Sequence, residues 1–198
     1  MNVSLIDYGT GNLHSLRKAL EAGGAVVRVD TTLTDARAAD AIVLPGVGAF
    51  GAAAAQLRMG RSALHSAIRA GVPCLGICLG MQLLFEGSEE GEGEGLGVLL
   101  GQVRKLKTRC LPHMGWNEVA MMDDPLFAGI PELTAYYANS YVAQPADASE
   151  VIAWSRYEDE QFPAAVRRDR VWGVQFHPEK SGAPGLQLIR NFLAQVGK

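Results

Sequence analysis

The chain has 198 residues, of which 48% are hydrophobic and 20% are charged, and its formal net charge is −3. A chain of this length buries enough surface to fold without a disulfide or metal staple, so we expect residues 1–198 to form a single domain. The slight acidic excess argues against a nucleic-acid binder that relies on a general basic field, and no apolar run approaches the ~18 residues of a membrane span.

The first 85 residues alternate between short apolar strands and helices. Strands are predicted at residues 3–6, 25–29, 41–44 and 72–77. Helices are predicted from residue 13 to the glycines at 23 and 24, over 52–69 with a break at Gly60, and over 79–85. Because the strands are continuously apolar, we predict an α/β fold with a doubly wound, mostly parallel sheet flanked by helices.

The second half of the chain has a different pattern. Strands with short connections are predicted at residues 98–107, 134–142, 151–157, 164–167 and 171–176, and a closing helix at 186–196. This spacing predicts an antiparallel section added to the sheet. Between the two halves, segment 87–97 is rich in glycine and glutamate, and its composition predicts a mobile acidic loop.

The three cysteines are an odd number, and the first nine residues contain an aspartate and no basic residue. Such a start is not a secretory signal, so we expect reduced thiols in the cytoplasm. Cys74 lies inside a predicted strand and Cys110 lies beside Pro112, and neither belongs to a motif. Cys78 has a more informative setting.

Cys78 lies in the sequence Gly76-Ile77-Cys78-Leu79-Gly80, between an apolar strand and an apolar helix. This is the G-x-nucleophile-x-G pattern of a sharp strand-to-helix turn, with a thiol in place of a hydroxyl. The turn strains the central residue, and the small neighbours prevent clashes. The helix N-terminus beside the thiol favours the thiolate, so we predict that Cys78 is a nucleophile, although a buried core cysteine is the alternative.

A thiol nucleophile needs a base, and the base needs a group that orients it. His177-Pro178-Glu179 follows the last apolar strand, where Pro178 restricts His177 to an extended conformation and Glu179 can accept a hydrogen bond from the imidazole. We therefore predict a Cys78, His177 and Glu179 triad, with a histidine in a surface loop as the alternative.

The reaction of a thiolate with an amide or ester produces an oxyanion, which backbone N–H groups must stabilise. The N–H of Leu79 is one candidate donor, and the turn at residues 45–48 is the other, because both are predicted at the carboxyl edge of the sheet. For the turn at residues 45–48, a phosphate-binding loop or a plain turn is the alternative, because either would have the same glycine pattern.

A zinc site is a further alternative, because the histidine motif matches the H-x-E of zinc deaminases. Cys74 and Cys78 have three residues between them instead of two, and they precede the histidine instead of following it. We therefore predict no metal and no other cofactor.

Three stretches together resemble the signatures of class I (triad) glutamine amidotransferases, in the same order and at similar separations. They are Leu44-Pro45-Gly46-Val47-Gly48, Gly76-Ile77-Cys78-Leu79-Gly80-Met81-Gln82 and Gln175-Phe176-His177-Pro178-Glu179. The resemblance implies a flavodoxin-like glutaminase fold, in which Cys78 forms a glutamyl thioester, His177 shuttles protons and Glu179 orients His177. It further implies that Gly48 and Leu79 serve the oxyanion, and that glutamine is bound by Gln82, Glu90, Ser140 and Tyr141.

Within that family, Pro112-His113-Met114-Gly115-Trp116-Asn117, Asp7-Tyr8-Gly9-Thr10-Gly11-Asn12-Leu13 and Lys180-Ser181 resemble the glutaminase subunits of imidazole glycerol phosphate synthases. This resemblance implies a heterodimer that passes ammonia to a (β/α)8-barrel cyclase subunit in histidine biosynthesis. It places Met114, Trp116, Asn117 and Lys180 near that partner.

The chain departs from the relatives at two places. Asn139 stands where many relatives carry histidine, so we assign it no role, and the extra glycines of segment 87–97 leave Glu89 as an alternative to Glu90. Other class I glutaminases, a cysteine peptidase of similar fold and a non-catalytic flavodoxin-like module are the alternative functions. The stretch at residues 112–117 argues against the other glutaminases. Gln82 argues against a peptidase, and the complete triad argues against a non-catalytic module.

Overall fold

The structure is a computed structural model, and it describes residues 1–9, 13–33 and 38–197. Thr10, Gly11 and Asn12 of the N-terminal motif lie outside the described residues. In the first half, strands and helices alternate as predicted. These elements are β1 (Asn2–Ile6), α1 (His14–Ala22), β2 (Val26–Asp30), β3 (Ala41–Leu44), α2 (Phe50–Leu57), α3 (Arg61–Arg69), β4 (Cys74–Ile77) and α4 (Leu79–Leu83).

The second half contains mainly strands. They are β5 (Gly87–Ser88), β6 (Gly101–Lys105), β7 (His113–Glu118), β8 (Ala120–Met121), β9 (Thr134–Asn139), β10 (Tyr141–Pro145), β11 (Val151–Tyr157), β12 (Glu160–Arg168) and β13 (Val171–Val174). The chain closes with helix α5 (Gly182–Val196), and short 3-10 turns lie at Pro125–Phe127, Ala148–Glu150 and Pro178–Lys180.

Eight strands form the main sheet, in the order β2-β1-β3-β4-β13-β12-β11-β8. The first five of these pair in parallel and the last three pair antiparallel. The predicted parallel sheet and its antiparallel addition are therefore confirmed, and they form one continuous sheet. Two small sheets, β10-β6-β5 and β7-β9, complete the architecture.

Helices cover both faces of the main sheet because its strands are apolar on both sides. Leu5 of β1 packs in one cluster with residues of α1 and α5, whereas the next residue, Ile6, packs in the other with residues of α2, α3 and α4. Gly60 precedes α3 at the predicted helix break, and a Cβ at this position would overlap the side chain of Leu33. Among the described residues, no helix is both long enough and apolar enough to cross a membrane.

The prediction of a single strand over residues 134–142 is wrong. The chain changes partner at Ser140, so that β9 pairs with β7 while β10 pairs with β6 in a different sheet. Strand-forming residues lie on both sides of Ser140, and local propensity carries no information about the partner strand. Strand β7 was not predicted, because its sequence, His-Met-Gly-Trp-Asn-Glu, has no continuous apolar run.

Both ends of segment 87–97 are packed against the fold, whereas residues 92–94 are exposed. The first two residues of the segment form β5, which pairs with β6. The N–H groups of Gly95 and Leu96 donate to the carbonyls of Glu86 and Leu83 at 2.9 and 2.7 Å. Leu96 is buried, and a Cβ at position 95 would overlap the Phe85 carbonyl. The glycine here permits close packing of two backbone segments.

Candidate active site

Cys78 lies at the tip of a sharp turn between β4 and α4. Its backbone has φ 50° and ψ −107°, a region that non-glycine residues rarely adopt. Glycines make this turn possible, because a Cβ at Gly76 would lie 2.6 Å from the Gly80 carbonyl oxygen, and a Cβ at Gly80 would overlap the Leu44 carbonyl. The predicted turn geometry at Cys78 is therefore present, and its strain is maintained by the surrounding packing.

His177 follows the adjacent strand β13 and is almost fully buried. Its Nδ1 lies 2.9 Å from Oε1 of Glu179. Its backbone is fixed at both polar groups, since its N–H donates to the Tyr136 carbonyl at 2.8 Å and its carbonyl accepts from Ser181 Oγ at 2.6 Å. The imidazole is thus held in one orientation beside a carboxylate.

The electrostatic surroundings determine the protonation of this histidine. Burial alone disfavours the imidazolium, but the interactions of the ring with Cys78 and with the Glu179 carboxylate, which lies 2.9 Å from Nδ1, outweigh it and raise the pKa of His177 to about 10. The imidazole therefore carries its proton at neutral pH. An imidazolium close to the sulfur is the setting in which catalytic cysteines react as thiolates.

The sulfur of Cys78 has two further polar neighbours. Gln175 Nε2 lies 3.5 Å from Sγ, and the carbonyl oxygen of Ala138 lies 4.0 Å from it. Gln175 belongs to the predicted histidine motif, but no role was predicted for it. Its position two residues before His177 was the available signal, because alternate residues of an extended segment point to the same side.

A cavity of about 280 Å³ opens at Cys78. Its wall includes both predicted oxyanion residues and all four predicted glutamine-binding residues. Of the predicted triad, Cys78 and His177 line the cavity and Glu179 does not. The lining consists of Gly46, Val47, Gly48, Cys78, Leu79, Gln82, Glu90, Pro112, Ala138, Asn139, Ser140, Tyr141, His177 and Lys180. A wider surface groove beside Arg58 and His65 contains none of these residues. The cavity is close to the lower limit of small-molecule sites, which suits a ligand of amino-acid size.

The structure distinguishes Glu90 from Glu89. Glu90 lines the cavity, and its Oε2 accepts a hydrogen bond at 2.8 Å from the N–H of Phe50, the first residue of α2. Glu89 instead accepts from the Lys105 N–H at 2.9 Å, at the edge of β6. The Phe50 N–H therefore orients the Glu90 carboxyl group, which lines the cavity.

The Tyr141 carbonyl holds two amide side chains of the cavity wall in place. It accepts hydrogen bonds from Gln82 Nε2 at 2.9 Å and from Asn139 Nδ2 at 3.1 Å. Asn139, for which no role was predicted, is thus a buried residue that holds the start of β10. Ser140 and Tyr141 line the cavity beside it.

The two predicted oxyanion residues both reach the cavity. Leu79 is the first residue of α4, whose N-terminal N–H groups have no partner within the helix. Gly48 has φ 126°, a conformation that favours glycine. The turn that contains Gly48 is held in place by the Tyr8 hydroxyl, which donates to the Pro45 carbonyl.

Three of the four residues predicted to face a partner lie at the outer surface beside the cavity. Met114 and Trp116 are 63% and 59% exposed on β7, and Lys180 Nζ lies 5.5 Å from the ring centroid of Tyr136. Asn117 is half-buried, and within the chain its Nδ2 donates to the Arg156 carbonyl at 2.8 Å and its Oδ1 accepts from the Glu118 N–H.

Comparison with known proteins gives consistent results. The family described as "Glutamine amidotransferase class-I" matches residues 4–196. The chain is 44% identical over 204 residues to "Imidazole glycerol phosphate synthase subunit HisH" of Microcystis aeruginosa, covering 99% of this chain and 96% of that one. It is 45% identical over 206 residues to the protein of the same name from Gloeobacter violaceus, covering 98% and 90%.

Solved structures have a similar fold. A glutamine amidotransferase crystal structure superimposes with a TM-score of 0.80 at 20% identity and covers 99% of both chains. A putative GMP synthase subunit from Thermoplasma acidophilum superimposes with a TM-score of 0.76 at 21% identity, covering 100% of this chain and 94% of that one. At these identities the superpositions concern the fold alone.

Proposed function

The chain belongs to the class-I glutamine amidotransferase family, and we propose that it is the glutaminase subunit of imidazole glycerol phosphate synthase. In this function it hydrolyses L-glutamine to glutamate and ammonia, and it delivers the ammonia to a (β/α)8-barrel cyclase subunit. The observation that carries the proposal is the strained Cys78 beside a buried His177–Glu179 pair in a small cavity. The full-length identity to proteins named as HisH subunits supports the choice within the family.

The reaction begins with attack of the Cys78 sulfur on the side-chain amide carbon of glutamine. The oxyanion that forms accepts hydrogen bonds from the backbone N–H groups of Gly48 and Leu79. His177, protonated at neutral pH, gives its proton to the amide nitrogen. The C–N bond breaks, ammonia leaves, and a glutamyl thioester remains on Cys78.

Hydrolysis of the thioester regenerates the site. The neutral imidazole of His177 takes a proton from a water molecule, which attacks the thioester carbonyl. The C–S bond then breaks and the thiolate and imidazolium are restored, while the new γ-carboxyl group loses its remaining proton to solvent and glutamate is released. Glu179 accepts from Nδ1 throughout, so Nε2 is the nitrogen that exchanges the proton.

The polar ends of the substrate match the charges of the cavity wall. Glu90 supplies a carboxylate for the α-ammonium group of glutamine, and Gln82, Ser140 and Tyr141 bind the remaining polar groups. The cyclase uses the ammonia to convert an N-linked phosphoribulosyl aminoimidazole-carboxamide ribotide into imidazole glycerol phosphate, with release of an aminoimidazole-carboxamide ribotide.

The decisive experiment compares the unmodified chain with Cys78→Ala, each assembled with the cyclase. We expect Cys78→Ala to abolish glutamine hydrolysis and to leave assembly and cyclisation with added ammonia intact. Cys110→Ala is the matched control, because this exposed thiol lies outside the cavity. Hydrolysis by the Cys78→Ala complex would refute the nucleophile, and failure of the unmodified chain to assemble with the cyclase would refute the partner.

A further inference from the structure

Two buried side-chain amides connect the cavity wall to the nucleophile. Gln82 Nε2 donates to the Tyr141 carbonyl at 2.9 Å and to Gln175 Oε1 at 3.2 Å. Gln175 Nε2 in turn lies 3.5 Å from Cys78 Sγ, within the range of an N–H···S hydrogen bond. Gln175 is completely buried and Gln82 is 4% exposed, so the chain of hydrogen bonds is shielded from water.

The Tyr141 carbonyl fixes the donor and acceptor directions along this series of hydrogen bonds. A backbone carbonyl only accepts, so the Gln82 atom that faces the Tyr141 oxygen is the NH2 group. The second hydrogen of that group points to Gln175, whose facing atom must therefore be its carbonyl oxygen. It follows that the Gln175 NH2 group, and not its oxygen, faces the sulfur of Cys78.

We propose that Gln175 is a positioning residue for the nucleophile, whose Nε2–H donates to Cys78 Sγ and stabilises the thiolate in the orientation for attack. The inference rests on the proposed function, because it assigns Cys78 the role of nucleophile. A hydrogen bond to a charged acceptor is stronger than one to a neutral acceptor, so Gln175 favours the thiolate over both the thiol and the thioester. It thereby also assists departure of the sulfur when the thioester is hydrolysed.

The backbone of Gln175 is held independently of its side chain. Its N–H donates to the Ala164 carbonyl at 2.8 Å, and the Cys78 N–H donates to the Val174 carbonyl at 2.7 Å. A side-chain substitution at position 175 therefore leaves the hydrogen bonds that fix the two backbones. The amide side chain itself has no polar partner among the described residues beyond Gln82 and Cys78.

The test is alkylation of the chain by iodoacetamide, followed for each cysteine by mass spectrometry between pH 6 and 9. Exposed Cys110 is the internal reference thiol. For Gln175→Met we expect the ratio of Cys78 to Cys110 alkylation at pH 7 to fall about tenfold, the usual effect of losing a hydrogen bond to a charged group. The Cys78 profile should move to higher pH, whereas a merely displaced sulfur would react more slowly at every pH.

Gln175→Glu provides a second, isosteric variant. Once ionised, its carboxylate still accepts from Gln82, offers no donor to the sulfur and repels the thiolate, so we expect a larger fall in Cys78 alkylation at the alkaline end of the profile. In the complex with the cyclase, kcat for glutamine should fall while KM stays nearly unchanged. Asn191→Leu is the control, because it removes a buried amide, bonded to Leu126 and Ala128, that does not line the cavity.

The control should reduce thermal stability and leave the alkylation profile of Cys78 unchanged. If Gln175→Glu folds, as judged by circular dichroism, and keeps the unmodified profile, the role of Gln175 is refuted even though the proposed function stands. If the unmodified complex does not hydrolyse glutamine, the proposed function fails, and the alkylation data still decide whether Gln175 contacts the sulfur. If both Gln175 variants unfold while Asn191→Leu folds, Gln175 is a structural residue and the proposal is overturned.

Discussion

The two walls of the active-site cavity are built in different ways. The inner wall is the carboxyl edge of the parallel sheet, where Gly46, Cys78 and Gly80 pack backbone against backbone. The outer wall is the two-stranded sheet of β7 and β9, which exposes Met114 and Trp116. The proposed nucleophile and oxyanion groups therefore lie at the tightly packed inner wall, whereas Met114 and Trp116, proposed for partner contact, are exposed on the outer one.

Contacts of β9 join the outer wall to the residues of the proposed chemistry. The Tyr136 carbonyl of β9 accepts from the His177 N–H, and the Ala138 carbonyl lies 4.0 Å from Cys78 Sγ. On the outer side, the Trp116 ring packs edge-on against Tyr136 with centroids 6.0 Å apart. A partner that moved Trp116 would therefore act on the histidine through one tyrosine.

Removal of the proposed acid–base group, His177, should have the largest effect. We expect His177→Asn to reduce glutamine hydrolysis by the complex on the order of 10³-fold, as is typical for the loss of general acid–base catalysis. Steady-state assays of ammonia release measure this. His65→Asn, on α3 and outside the cavity, is the matched control and should retain normal turnover. Normal turnover of His177→Asn would contradict the assignment of the base.

The rigidity of the inner wall can be tested with glycine substitutions. Gly80→Ala should reduce the free energy of unfolding by about 3 kcal/mol, because a Cβ there overlaps the Leu44 carbonyl and backbone cannot move aside cheaply. Urea denaturation measures the change. Gly197→Ala meets no atom within 4 Å and has an ordinary backbone, so it should be close to neutral. Equal stability of the two variants would show that the turn tolerates a side chain.

A substitution on the outer wall should change the affinity for the cyclase rather than the stability of the fold. Trp116→Ala should weaken the affinity for the cyclase by about 2 kcal/mol, the usual size of an effect at an aromatic anchor of an interface. The alkylation rate of Cys78 in the free chain should stay the same. Met59→Ala removes a side chain that is 91% exposed on the turn before α3, and it should leave the affinity unchanged. Titration calorimetry distinguishes the two variants.

The pH dependence of stability should report the charged histidine. The pKa of His177 is raised to about 10 in the folded chain, from about 6.5 when unfolded, so folding binds its proton more tightly. Its contribution is complete below pH 6.5 and is lost as pH rises to about 10, at up to about 1.4 kcal/mol per pH unit. His177→Asn should have a flatter pH profile in urea denaturation, and parallel profiles would contradict the raised pKa.

Much of the inner wall could be predicted because its signals are local. The glycines around Cys78 and the strand-then-histidine pattern at His177 both describe backbone conformations that the residues themselves impose. Gln175 was not predicted to matter, although it stood in the same motif. Its contact with the sulfur depends on Gln82, which lies 93 positions away and fixes the direction of the amide.

The outer wall was less predictable. Strand β7 and the change of partner at Ser140 both depend on pairing between distant segments, and strand propensity does not specify the pairing. The difference between Glu90 and Glu89 also depends on a contact between distant segments. The N–H of Phe50, 40 residues earlier in the chain, holds the Glu90 carboxylate beside the cavity, and this contact supports the proposed role of Glu90.

The amino-acid sequence alone specifies the order of strands and helices in the first half, the parallel sheet, the strained turn at Cys78 and the pairing of His177 with Glu179. These follow from apolar periodicity, glycine positions and residues close together in the chain. Three-dimensional packing was needed to establish which strands share a sheet, that the ends of segment 87–97 are packed, and which amide group faces the sulfur. Such features depend on long-range packing, in which each contact is set by atoms from both partners and by the space between them.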